Sequence, residues 1–161
     1  MNDDAEPWSA RERTLVSADP ATTIALAADL AASAQPGDLI CLWGDLGAGK
    51  TVFAKGFGAG LGVTDTINSP TFVLMSEYEG RLPLFHLDLY RLADATDAFA
   101  GGLIDDRQAA GVTLVEWPDR MAAALPIGRL DVVIDGEGDQ PRQIRLCAGT
   151  PGLARYLDAV S

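Results

Sequence analysis

Residues 44–51 read GDLGAGKT, which satisfies the spacing G-x-x-x-x-G-K-[ST]. The chemistry this spacing serves is the holding of a polyphosphate. Its glycines let the backbone curl so that successive N–H groups face phosphate oxygens. A helix beginning at Lys50 would add its positive dipole end. The Lys50 ammonium would reach the β- and γ-phosphates, and the Thr51 hydroxyl would ligate Mg²⁺. The expected nucleotide cradle is therefore Gly44, Asp45, Leu46, Gly47, Ala48, Gly49, Lys50, Thr51 and Val52.

A phosphate loop of this kind works with a carboxylate at the end of a neighbouring strand, which holds the hydrated Mg²⁺. Two carboxylates are candidates, Asp88 in FHLDLY and Glu116 in VTLVEW. Asp88 lies on an alternating run. Phe85, Leu87 and Leu89 share one face, and His86, Asp88 and Tyr90 the other, as on an outer or antiparallel strand with one polar face. Glu116 ends a continuously apolar strand, the kind buried in a sheet centre. Glu116 is thus the preferred Mg²⁺-side carboxylate, acting through water; the plainer alternative is a polar residue that merely marks a strand end. Asp88 is then left to orient or deprotonate the attacking water, or to join His86 and Tyr90 in an ordinary solvated stripe. Trp117 packs either beside the nucleotide or in the core. Arg142 either reaches a phosphate or the base, or is solvated surface. Ser69-Pro70-Thr71 would be a switch-like contact to the γ-phosphate.

The elements that must position these groups follow from periodicity. Asp19-Pro20 reads as an N-cap followed by proline at the first helical position. Ile24, Ala27, Ala28 and Ala31 carry that helix to about residue 34, where Pro36-Gly37 stops it. LICLW, residues 39–43, is an apolar run suited to a central strand. Residues 51–61 form a second helix with Val52, Phe53, Phe57 and Leu61 toward the core and Gly62 as its stop. Residues 69–78 and 82–90 form a hairpin around Glu79-Gly80-Arg81. After an irregular stretch, VTLVEW supplies a buried strand and residues 119–125 a short helix. Residues 129–134 and 142–147 are late paired strands, and residues 151–160 a closing helix. The expected class is α/β, a single P-loop-type domain over 1–161 with a mixed sheet, helices on both faces and a loose tail over 1–12.

Bulk properties narrow the function. A chain of 161 residues with 48% hydrophobic content supports one well-buried core. No apolar run is long enough for a membrane span, and the acidic start MNDDAEPW lacks the features of a secretory signal. Cys41 and Cys147 have no metal or redox spacing and read as buried thiols in a reducing cytoplasm. The net charge of −11 argues against a broad electrostatic grip on nucleic acid. A regulatory GTPase would need a guanine-reading NKxD, which the chain lacks. A small-molecule kinase would need an arginine-bearing lid, which the Arg-poor middle does not supply clearly. An ATP-binding adaptor without turnover would look much the same in sequence.

With these words in order, GDLGAGKT, SPTF (69–72), HLDLYRL (86–92) and LVEWP (114–118), the chain resembles the TsaE family, formerly YjeE. These are small bacterial P-loop ATPases needed to make threonylcarbamoyladenosine in tRNA. The resemblance runs from about Pro20 to Arg145. It implies ATP and Mg²⁺ as ligands, Lys50 and Thr51 as phosphate and metal residues, and Glu116 as the second metal carboxylate. It further implies Asp88 as an acidic residue of hydrolysis, Trp117 as a nucleotide neighbour and Arg142 as a late nucleotide contact. The implied partners are the proteins TsaD and TsaB. The transfer to adenosine 37 would belong to TsaD, and ATP turnover here to conformational reset or product release. Residues 94–110 depart from the family pattern: Gly102-Leu103 fits, but the acidic helix start is thin and the following aromatics are missing.

Overall fold

The computed structural model describes residues 11–67, 75–90, 106–121 and 125–160. Seven strands form one sheet: β1 (Arg11–Ser17), β2 (Leu39–Trp43), β3 (Met75–Tyr78), β4 (Leu84–Asp88), β5 (Val112–Glu116), β6 (Leu130–Asp135) and β7 (Arg142–Ala148). Their spatial order is β1-β7-β6-β2-β5-β4-β3. The four middle strands, β6, β2, β5 and β4, are parallel, and antiparallel strands flank them on both sides. LICLW is the central strand, and VTLVE lies directly beside it, with Leu42 opposite Glu116.

Helices α1 (Pro20–Ala31), α2 (Lys50–Gly60) and α3 (Ala154–Asp158) share one apolar core with the sheet, built on Ile40, Leu42, Phe53, Phe57, Leu114 and Tyr156. The opposite face buries Cys41, Phe85, Leu87, Val115 and Met121. Short 3₁₀ turns at Asp106–Ala110 and Pro118–Arg120 flank that second core. No helix among the described residues is long and apolar enough to cross a membrane.

Local chemistry explains most of the boundaries. Asp19 caps α1 by accepting from the Thr22 backbone N–H at 2.8 Å, the interaction that favours Asp at this position. The helix closes at Ala31, and tight turn hydrogen bonds such as Ala34 N–H to Ala31 C=O replace the helix expected to run on to residue 34. Helices α1 and α2 approach so closely at Gly56 that a Cβ there would stand 2.4 Å from the Ile24 carbonyl oxygen. Arg155 and Tyr156 of α3 both donate to the Asp38 carboxylate, which anchors the chain just before β2.

Four expectations need correcting. Arg11 and Glu12, assigned to a loose tail, are already paired in β1 with Ala148 and Cys147. Strand β4 is not an outer strand: it pairs with β3 on one side and β5 on the other, and Leu84 to Leu87 are buried on both faces. Its alternation of apolar and polar side chains does not mark a solvated face, since His86 is fully buried. Val52 was expected in the core but is only half-buried. Cys41 is buried as expected, whereas Cys147 is partly exposed: it alternates along β7 with the buried Leu146 and Ala148 and so lies on the other face of the sheet. The Ser69-Pro70-Thr71 segment and most of the divergent 94–110 stretch lie outside the described residues.

Candidate phosphate-binding site

The P-loop connects β2 to α2. Gly47 and Gly49 have φ values of 84° and 115°, and a Cβ at either would meet nothing within 4 Å. These glycines are therefore favoured by backbone conformation, and the space above them is open. Helix α2 begins without a side-chain cap. Its first N–H groups have no acceptor within the helix, which is the condition under which a helix start attracts a phosphate.

Lys50 is buried, and its ammonium donates to the carbonyl oxygens of Gly44 and of Asp45, the latter at 3.2 Å. It also rests 3.8 Å from the centre of the Trp117 ring. Burial lowers its pKa, while Glu116 and Asp88 oppose that shift. Trp117 is half-buried, packs against Tyr90 at a tilt of 51° with 4.9 Å between ring centres, and adopts φ 62°. It is the one non-glycine in the left-handed region among the described residues, a costly state for a bulky side chain. The ring faces the loop lysine and also packs against the second core, so it combines features of both alternatives.

The two carboxylates meet at the ends of β4 and β5, where Asp88 is in register with Glu116. Glu116 is only 3% exposed. The Thr51 hydroxyl donates to its Oε2 at 3.4 Å, a long contact. His86 Nε2 lies 2.6 Å from the same oxygen. Asp88 accepts from the Tyr90 backbone N–H at 3.0 Å. Burial raises the Asp88 pKa, helped by the Glu116 charge and opposed by that N–H, His86 and Lys50. Lys50, Thr51, Asp88, Glu116 and Trp117, chosen from separate segments, are thus brought together. His86 belongs with them although its motif read equally as a solvated stripe; the signal was its position two residues before Asp88 on the same strand face.

Arg142 is placed behind the loop. Its guanidinium donates to the carbonyls of Ala48 at 2.8 Å and Gly138 at 3.1 Å. It ties the β6–β7 turn to the P-loop and lines a cleft of about 290 Å³ with Asp19, Thr23, Val52 and Gln140. Sequence reasoning gave no hint of this cleft, because its walls come from three distant turns.

Among the described residues no group of three or more His, Cys, Asp or Glu side chains converges as a self-sufficient metal site. The Thr51 hydroxyl and Glu116 carboxylate form a sparse oxygen donor set. Such a set fits a hard cation that keeps several waters and takes further ligands from phosphate.

Comparison with known proteins accords with this geometry. Residues 17–144 match the family described as Threonylcarbamoyl adenosine biosynthesis protein TsaE. A Bacillus subtilis protein named tRNA threonylcarbamoyladenosine biosynthesis protein TsaE is 47% identical over 81% of this chain and 82% of its own length. A protein of the same name from Treponema pallidum is 41% identical over 68% of this chain and 82% of its own. The crystal structure of Bacillus subtilis YdiB superposes with a TM-score of 0.77 at 37% identity, covering 92% of this chain and 93% of that one.

Proposed function

The chain belongs to the TsaE family, and from that premise we propose that it binds ATP with Mg²⁺ and hydrolyses it within the machinery that forms threonylcarbamoyladenosine at position 37 of tRNA. By family resemblance its partners are TsaD and TsaB, and its place is the cytoplasm. The observation that carries the proposal is the convergence of Lys50 and Thr51 from α2 with Glu116 from β5 at one point above the P-loop.

The roles follow from position. The N–H groups at the start of α2 cradle the β-phosphate. Lys50 leaves its carbonyl partners and the Trp117 ring to neutralise the β- and γ-phosphate oxygens. Thr51 and Glu116 would hold Mg²⁺, which when bound would supply neutralisation of the phosphate charge. Asp88, whose raised pKa brings it nearer to neutrality than an ordinary aspartate, orients the attacking water and accepts its proton. The cleft between Asp19, Thr23 and Gln140 has room for part of the nucleoside beside the loop. Arg142 keeps that wall in place.

The test is ATP hydrolysis by the pure protein, with and without its cognate TsaB–TsaD pair, for wild type and Glu116→Ala. The expected result is slow turnover alone, stimulation by the pair, and loss of both in the variant. Full activity in Glu116→Ala would overturn its assigned role. Nucleotide binding with no turnover under any condition would replace the ATPase with a nucleotide-dependent adaptor.

A further inference from the structure

We infer that His86 is a positioning residue for the metal-side carboxylate: its Nε2–H holds Glu116 in the rotamer that meets Thr51 and a hydrated divalent cation. This deepens the reading above and rests on it.

The geometry carries the argument. His86 is wholly buried, at 0% exposure, and sits on β4 opposite Leu114. Glu116 is two residues further along β5, so the two side chains are diagonal neighbours on one sheet face, within reach for long side chains. The imidazole closes that diagonal with a contact of 2.6 Å to Oε2. Its other nitrogen, Nδ1, is buried with no hydrogen-bond partner among the described residues. An N–H left without an acceptor in such a place is costly, so the proton belongs on Nε2 and Nδ1 presents only its lone pair. A ring surrounded this way has one polar function, to donate to Glu116.

Glu116 needs that donor. A carboxylate almost completely removed from water needs hydrogen-bond donors, and the Thr51 hydroxyl offers only long contacts, 3.4 Å to Oε2 and 3.5 Å to Oε1. With Oε2 held by His86 at 2.6 Å, Oε1, which lies 3.5 Å from the Thr51 hydroxyl, is the oxygen left for the proposed cation. Groups in this relation to a ligand typically tune metal affinity by about 10- to 100-fold.

The experiment compares wild type, His86→Leu, His86→Gln and His86→Asn. Binding of ADP is measured by calorimetry in EDTA and then across a Mg²⁺ titration. His86→Leu should leave ADP affinity in EDTA unchanged and raise the Mg²⁺ half-saturation by about tenfold or more. His86→Gln, whose amide nitrogen falls near the Nε2 position, should recover most of the loss, and His86→Asn should not. Equal half-saturation in wild type and His86→Leu overturns the inference. Should His86→Leu fail to fold, the Gln and Asn variants decide: equal values for those two overturn it as well. No ADP binding by wild type in either condition would sink the parent nucleotide reading, and this one with it. A metal-free readout is independent of the variants. His86 is the only histidine, so the ring ¹⁵N–¹H correlation of the free protein reports its tautomer directly. The Nε2–H form is expected, and the Nδ1–H form overturns the inference.

Discussion

Asp88 carries opposite demands. Burial raises its pKa in the folded protein, so its ionisation works against folding. The contribution of this group to stability is fully present below the ordinary carboxylate range and is lost as pH rises through the raised value. At neutral pH, Asp88→Asn should therefore stabilise the free protein, while the Tyr90 N–H keeps an acceptor. Asp88 is partly exposed, so solvent screening limits the gain to about 2 °C in Tm. The same variant should lose ATP turnover, and the wild-type rate should fall on the acid side at a higher pH than an unperturbed aspartate would give. A destabilised variant, or one with normal turnover, would contradict the assignment. Trp117 makes a second test at this scale. Nucleotide entry draws Lys50 off its ring, so ADP should change tryptophan emission, and the change should vanish in Trp117→Phe. Trp43, fixed through its indole N–H to Asp131 at 2.8 Å, should contribute little to it.

The elements obey packing more than propensity. Alanine is a better helix former than glycine by about 1 kcal/mol, yet Gly56→Ala should destabilise the fold. Its Cβ would press on the Ile24 backbone, which cannot step aside as a side-chain tip could. Overpacking of this kind costs about 1–3 kcal/mol, measurable by urea unfolding. Residues with one strong periodic signal were legible in advance: the capped start of α1, the run LICLW, and VTLVE beside it. Strand β1 was not, because RERTLVS is an edge strand with charges at Arg11, Glu12 and Arg13 and only Ser17 buried. Its weak alternation, with Arg13, Leu15 and Ser17 turned inward, was the available signal. His86 was legible as a residue but not as a site group. Polar alternation reads as solvent exposure until the neighbouring strand is known, and that neighbour, β5, lies across the intervening stretch. Arg142 was legible as a candidate nucleotide contact, but not as a tie to the loop; the carbonyls it binds belong to turns that no local pattern connects.

At the scale of the molecule, 12 Lys and Arg against 23 Asp and Glu give a net charge of −11, which disfavours a broad grip on a phosphodiester backbone. Gel-shift titration at physiological salt should show no specific tRNA complex with the protein alone, and one would argue for direct contact. The position of β2 has a further consequence, for biosynthesis. Leu39 pairs with Thr113 and Ile40 with Leu130, so the strand that launches the P-loop finds neither neighbour until most of the chain has been made. On the ribosome, LICLW emerges early and remains an unprotected apolar segment, the sort that invites chaperones or aggregation. Every phosphate-binding residue named in GDLGAGKT is present in a chain cut after Gly128, but its central strand lacks one side. Such a fragment should fail to bind ADP, which would show that this loop is competent only as the last product of a nearly finished chain.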